Sequence, residues 1–299
     1  MEIYELLRKM RINRGITQKQ LANGITTRES IVKYENGKNH VPLLILSELL
    51  EKMNVNLDEF LFYLQADNVR TKNKELKKLI KSIRDGGQPS QYILHQLKIQ
   101  ADESSDIVDV RNYLVAKICD WYNRPKSERK VTRKDQSYIS QIKEYLDRID
   151  EFGRFEITTF TSLLFLFETN YIAQRINEIE KKIEKNKDYE IFHTSLYALY
   201  NNAFLLMLER KDQLHAENYL KKYSNVRKNM LFSRETEIYA NFYNLLFRYL
   251  FGDMDKEQEI IQYFKALKLL GVNGLESEFL NDLRNYEKLY GLPGIVIDN

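Results

Sequence analysis

Apolar residues recur at helical spacing from the first turn of the chain onward. Ile3, Leu6, Leu7 and Met10 fall at i, i+3, i+4 and i+7 and predict an amphipathic first helix, ended by Gly15. Thr17 with Gln20 three residues on reads as a capping box, and Leu21 and Ala22 give a short second helix its small apolar inner face. Asn23-Gly24 supplies a turn, since both residues tolerate positive φ. Thr26 or Thr27 caps a third helix that stops at Asn36-Gly37. Pro42 starts a fourth, striped by Leu46, Leu49, Leu50 and Met53. A fifth carries Leu57, Phe60, Leu61 and Leu64. Five short helices in about 65 residues predict a compact domain with its own core.

A polar stretch follows, so the chain divides into a domain at 1–66, a linker at 67–74 and a second domain at 75–299. From there helix follows helix: 72–85 with 89–101, 107–123 with 133–152, 155–185 with 189–210, 212–224 with 231–251, and 255–270 with 275–290. One pair per roughly 40 residues is the period of helical-repeat solenoids. Two helices are apolar on two faces. In 189–210 the stripes are Phe192, Leu196, Leu199, Leu206 and Tyr197, Tyr200, Phe204, Met207. In 231–251 they are Ile238, Phe242, Leu245, Tyr249 and Tyr239, Tyr243, Leu246, Leu250. Such helices pack against neighbours on both sides, as the inner helices of a solenoid do.

Composition agrees: 11 glycines and 4 prolines are too few for a turn-rich sheet protein, so the fold class is all-α. The net charge is only +3, with a surplus of +4 in residues 1–40 (eight Lys or Arg against four Glu), so the positive field sits on the first domain. Cys119 is the single cysteine, read as a structural thiol. His40, His95, His193 and His215 have no partners at metal spacing, and no phosphate-binding or nucleophile motif is present. The sequence therefore predicts no enzyme, no metal and no cofactor. No basic and apolar leader opens the chain, and no apolar run is long enough for a bilayer, so the expected location is the cytoplasm.

The third helix divides its chemistry by face. At about 100° per residue, Ser30, Ile31 and Tyr34 turn one way and Arg28, Glu29, Val32 and Lys33 the other. The second set suits a DNA major groove: Arg28 and Lys33 donate to guanine or phosphate, Glu29 accepts from cytosine, and Val32 meets a thymine methyl. Arg28, Glu29 and Lys33 are the candidate base readers, and Gln18, Thr27 and Lys38 the candidate phosphate contacts. The same charges also fit a plain solvated helix face, with Glu29 completing a cap on Thr26. In the second domain Asn201 and Asn202 lie between the stripes of one helix, and Asn241, Asn244 and Arg248 form a line on the other. Asparagine can hold the backbone of an extended peptide, though buried asparagines also satisfy loop carbonyls.

The stretch T-Q-K-Q-L-A, the glycine turn, the capped helix and E-N-G-K resemble the helix-turn-helix of phage-repressor-like (XRE) regulators. With a helical-repeat domain behind it, the whole chain resembles the Rgg group of Gram-positive regulators. Tyr145-Leu146 followed by Phe152-Gly153-Arg154-Phe155-Glu156 is similar to a pattern of that group, with Phe152 in place of its usual tryptophan. Arg154 joins the candidate peptide contacts on this ground. The resemblance implies a five-helix DNA-binding domain with a TPR-like solenoid, a homodimer on an inverted repeat in double-stranded promoter DNA, and a cytosolic receptor for a short peptide pheromone. The intersubunit disulfide of some members is excluded, because the first domain has no cysteine. Two other readings stay open: a ligand-independent repressor whose helical domain only dimerises, and a helical-repeat interaction scaffold.

Overall fold

The structure is a computed structural model that describes residues 2–64, 74–84, 90–104, 106–122, 124–183, 190–227, 234–252 and 256–297. Its described residues are helical or irregular, with no strand. The chain folds as two compact units, Met1–Ser82 and Ile83–Asn299. The expected linker lies outside the described residues apart from Lys74, which opens a helix at Lys74–Arg84.

The first unit holds α1 (Ile3–Asn13), α2 (Gln18–Ala22), α3 (Arg28–Glu35), α4 (Leu43–Lys52), α5 (Leu57–Leu64) and most of α6 (Lys74–Arg84). Leu6, Leu7, Met10, Leu21, Ala22, Ile31, Leu46, Leu49, Leu50, Met53 and Phe60 form one buried core, so the apolar stripes of five helices converge. Pro42 is the N-cap of α4 rather than its first residue. In α5 the fit is looser: Leu57 and Leu61 are exposed, and Phe60 carries the burial.

A polar clamp crosses this core. Arg11 at the end of α1 grips Glu35 at the end of α3 with two parallel bonds, Nε to Oε1 at 2.5 Å and Nη2 to Oε2 at 2.7 Å. Its remaining nitrogen donates to the Ile16 carbonyl at 2.8 Å, in the loop that leads to α2. Gln18 Nε2 donates to Glu35 Oε2 at 2.9 Å, so α2 is tied to the same carboxylate. Neither charged partner is open to water: the side chains are 11% and 1% exposed. The strong bond to Glu35 raises the Arg11 pKa against the opposing effect of burial.

The second unit runs α7 (Gln91–Glu103), α8 (Ile107–Tyr122), α9 (Arg133–Arg148), α10 (Arg154–Leu163), α11 (Thr169–Ile183), α12 (Glu190–Glu209), α13 (Gln213–Arg227), α14 (Arg234–Leu250), α15 (Glu257–Leu269) and α16 (Asn273–Tyr290). The helix expected at 155–185 is two. Thr158, Thr161 and Ser162 turn their hydroxyls back onto carbonyls of their own helix, which favours a bend. The run Leu163 to Phe167 would cover the whole circumference of a continuous helix. The break instead turns Phe167 inward, stacked on Phe160 at 5.7 Å and against Tyr171 at 5.2 Å. Arg210 satisfies the exposed end, donating to the Phe167 carbonyl at 2.6 Å and to Thr169 Oγ1 at 3.0 Å.

Consecutive helices pack at α7–α8–α9 and at α12–α13–α14–α15–α16, and alternate helices also meet: α8 lies on α10, α10 on α12, and α14 on α16. Phe204 of α12 meets Tyr243 of α14 at 5.5 Å and closes the row. These even-numbered helices form a ladder with the odd-numbered ones packed against it. The two-faced pattern in α12 and α14 places them inside it: Leu199, Tyr200, Phe204, Leu206, Met207, Phe242, Tyr243, Leu246 and Tyr249 are all buried. An aromatic box joins α14, α15 and α16, with Phe242 and Phe279 stacked at 4.3 Å and 10°.

Beside this box sits Asp282. Burial first, and then the charge of Glu278 one turn away, push its carboxyl from the usual 3.8 up to about 6, while a bond from Tyr243 opposes them.

Two predictions follow from these buried charges. Glu35→Ala leaves the Arg11 guanidinium unpaired and costs the first unit about 3–5 kcal/mol in urea unfolding, whereas Arg11→Met with Glu35→Leu recovers most of that loss. For Asp282, the folded chain holds the proton more tightly than the unfolded chain. Its stabilising contribution is complete below the unfolded value of 3.8 and is lost as pH rises through about 6. Asp282→Asn therefore flattens the stability profile between these limits and raises stability at pH 8 by on the order of 3 kcal/mol at most, read by urea titration across pH.

Candidate nucleic-acid interface and peptide cleft

The first two turns of α3 are set by one threonine. Thr27, not Thr26, is the cap: its Oγ1 accepts from the Ser30 N–H at 3.1 Å and lies 3.0 Å from the Ser30 hydroxyl. The third residue of the helix is thus Ser30, and Glu29 is not spent on a capping box. At the other end Gly37 takes φ +67°, and a Cβ there would sit 3.1 Å from the Tyr4 ring, so both backbone and packing require glycine. The turn before α3 needs positive φ only at Gly24 (+79°), while Asn23 stays at −56°. Lys52 of α4 donates to the Asn23 carbonyl and pins that turn.

This frame fixes which face is free. Ile31 and Glu35 are buried and Tyr34 and Val32 half-buried, while Arg28, Glu29 and Lys33 are exposed. The predicted base readers therefore share one outward face. Thr27 and Lys38 are exposed at the two ends of α3. Gln18 is half-buried, and the carboxylate of Glu35 takes one of its amide hydrogens and leaves the second free to donate outward. Sequence reasoning missed the role of Arg11 and Glu35, which looked like ordinary surface charges. Their only local signal is that both fall on the apolar face of their helices.

In the second unit, α8, α10 and α12 wall a cleft of about 280 Å³. Val115, Ile118, Leu164, Phe165, Leu205 and Leu206 give it apolar sides, and Thr161, Ser162, Asn202, Glu209 and Cys119 give it polar points. Cys119 is half-buried, and burial pushes its thiol up. None of the five predicted peptide residues lines this cleft; the asparagine that does is Asn202. Asn201, its neighbour, has a buried Oδ1 with no hydrogen-bond partner. Asn241, Asn244 and Arg248 do form one exposed line on α14, but Asn244 turns its amide back to the Ala240 carbonyl at 2.7 Å.

The motif around Arg154 proves to be a corner lock. Tyr145 donates to Glu156 Oε1 at 2.6 Å, the Gly153 N–H donates to Glu156 Oε2 at 2.9 Å, and the Tyr145 and Phe155 rings meet at 6.1 Å. Burial and this carboxylate push the Tyr145 phenol up to about 12. Arg154 itself is exposed at the first position of α10. Among the described residues no cluster of His, Cys, Asp and Glu is arranged to hold a metal ion, and no described helix is long and apolar enough to cross a membrane.

Two family descriptions match the chain: "Helix-turn-helix" over residues 7–60, and "HTH-type transcriptional regulator Rgg, C-terminal domain" over residues 67–281. No curated protein matches it. Among solved structures, one described as a transcriptional regulator from Listeria monocytogenes EGD-e superposes with a TM-score of 0.78 at 19% identity, covering 97% of this chain and 99% of that one. The PrgX/cCF10 complex gives 0.73 at 16% identity, covering 96% and 92%. The SHP pheromone receptor Rgg2 of Streptococcus dysgalactiae gives 0.67 at 16% identity, covering 96% and 99%. At such identities these structures speak for the fold alone. The second family description, however, spans well over half of the 299 residues, and the chain belongs to the Rgg family of helix-turn-helix transcriptional regulators.

Proposed function

We propose that this regulator grips an inverted repeat in promoter DNA as a homodimer, and that a short peptide held on the helical ladder sets its activity. It acts in the cytoplasm, by binding and not by catalysis. The observation that carries the DNA half is the outward face of α3: Arg28, Glu29 and Lys33 are exposed together on a helix whose other face is buried and clamped. These three read base edges, and Gln18, Thr27 and Lys38 hold phosphates. The Arg11–Glu35–Gln18 network fixes the angle at which they enter the groove.

The peptide half is supported by the cleft across α8, α10 and α12, whose apolar walls and scattered hydroxyl and amide groups suit an extended apolar peptide. Two of the similar structures are described as a complex with cCF10 and as a pheromone receptor, which favours the same use here. Asn201 stays a candidate as the chain neighbour of Asn202, which lines the cleft, with its own Oδ1 buried. Arg154, Asn241, Asn244 and Arg248 stay candidates through their exposure.

A gel shift on the DNA flanking the gene tests both halves, with and without synthetic peptides from nearby short reading frames. A salt-sensitive shift that one peptide alters is the expected result. A shift indifferent to every peptide favours a ligand-independent repressor, and no shift favours a scaffold. Arg28→Ala costs about 1–3 kcal/mol of operator affinity and relaxes specificity at one base pair. Lys38→Ala weakens all sequences alike and lowers the salt slope by about 1.

A further inference from the structure

Among the described residues of the second unit, most cations with buried or half-buried side chains are matched to anions or carbonyls, and the half-buried Arg111 is not. Arg175 pairs with Asp147 and Glu178, and Lys117 with Asp135. Arg210 spends its guanidinium on the Phe167 carbonyl and Thr169. Arg111, on α8, has a single hydrogen bond, from Nη1 to Oδ1 of the neighbouring Asn112 at 3.0 Å. That partner is a neutral amide, itself fully buried. The Nε–H of Arg111 is buried and donates to nothing. No carboxylate among the described residues pairs with it, and burial alone pulls its pKa down.

A guanidinium held this way is poised to receive an anion. It is desolvated on one side, keeps most of its five donors unused, and would gain a bidentate pair from a carboxylate. Its position says which one. At 100° per residue Arg111 shares a face of α8 with Val115 and Ile118, which wall the cleft, and Val115 is one turn, about 6 Å, further along the axis. The carboxylate that lines the cleft, Glu209, makes no described contact with Arg111. Arg111 does not itself line the cleft; an extended peptide that runs one turn past Val115 on the α8 side would meet its guanidinium.

We propose that Arg111 anchors a carboxylate of the bound peptide, either its C-terminus or an acidic side chain. This rests on the peptide reading of the cleft and adds the ligand's charge to it. The ladder thus recognises not only an apolar chain but one that ends, or carries an Asp or Glu, at a fixed place. Charge at this point would discriminate among similar apolar peptides, because a peptide without it leaves the buried donors unpaired.

The test uses the full chain and three dipeptide probes: N-acetyl-Leu-Leu with a free carboxylate, the same dipeptide as its amide, and N-acetyl-Asp-Leu amide. The readouts are the arginine Nε–H NMR signals, with Arg111 assigned by its loss in Arg111→Gln, and the thermal midpoint. The free acid should move the Arg111 signal saturably and raise the midpoint, the Leu-Leu amide should do neither, and Arg111→Gln should abolish the difference. A response to the Asp probe as well assigns the site to any carboxylate, and its absence assigns it to the C-terminus; both support the anchor. Arg111→Met should keep or raise the melting temperature of the empty chain, since it removes an unpaired buried charge. Equal responses to acid and amide, an unchanged preference in Arg111→Gln, or a lower midpoint in Arg111→Met would each overturn the proposal. If one peptide alters the gel shift equally in wild type and Arg111→Gln, the anchor fails while the receptor reading stands. If no peptide alters it but acid selectivity persists, the anchor stands without that reading.

Discussion

The Arg11–Glu35 pair is the constraint on which the DNA-binding unit depends. α2 has only five residues, too few to stand as a helix without tertiary support. Its place relative to α3 comes from outside: Gln18 is held by Glu35, Glu35 by Arg11, and Arg11 by the loop carbonyl of Ile16. Two charges buried at this depth would be a liability as a source of stability alone, since apolar residues of similar volume would do as well or better. What the pair adds is direction. A bidentate bond between planar groups fixes orientation as well as distance, which a leucine contact does not. Three chain segments are therefore set at defined angles around one carboxylate, and the outward face of α3 inherits that definition.

The second unit solves a different problem with different means. A helix of a solenoid must be apolar on two sides without collapsing into a featureless bundle. Tyrosine meets this demand, because its ring fills the interface while its hydroxyl must find a specific partner. Tyr200 reaches Glu180, Tyr249 the Pro293 carbonyl, Tyr263 the Ile238 carbonyl, and Tyr290 the Leu208 carbonyl. Each bond ties one helix to a neighbour or to the closing segment at a chosen register. These tyrosines are thus a register device as much as a core.

How legible all this was depended on range. Helices and caps were readable because their signals lie within a few residues: the Thr17 and Gln20 box forms as expected, and most residues of both stripes of α12 and α14 are buried. The split between α10 and α11 was not read from the sequence, because the apolar run Leu163 to Phe167 is also what a helix buried on all sides would show. What decides it is Arg210, more than forty residues away, which satisfies the carbonyl that the break exposes. The outer face of α3 was legible for the same local reason as its cap, whereas the clamp joins residues 24 positions apart. In the second unit, polarity singled out Asn241, Asn244 and Arg248, which are easy to see on one helix. The cleft draws on three helices, and no pattern along a single one reveals it.

Charge shows how the two units share the work. The chain as a whole is nearly neutral, and its positive surplus lies in residues 1–40, so bulk charge draws anions to the first unit and not to the second. In the first unit the free cations stand on an outward face, wet, numerous and individually weak, which suits a long polyanion met at many points. In the second, the cations Arg175 and Lys117 are shielded and matched to carboxylates, and the half-buried Arg111, without such a match, stands one turn from the cleft-lining Val115 on α8. A single desolvated guanidinium gains little from diffuse charge and much from one well-placed carboxylate. The two arrangements therefore suit opposite partners, an extended anionic surface and a small, mostly apolar ligand. That separation is what a regulator needs if the small ligand is to act on DNA binding without resembling DNA.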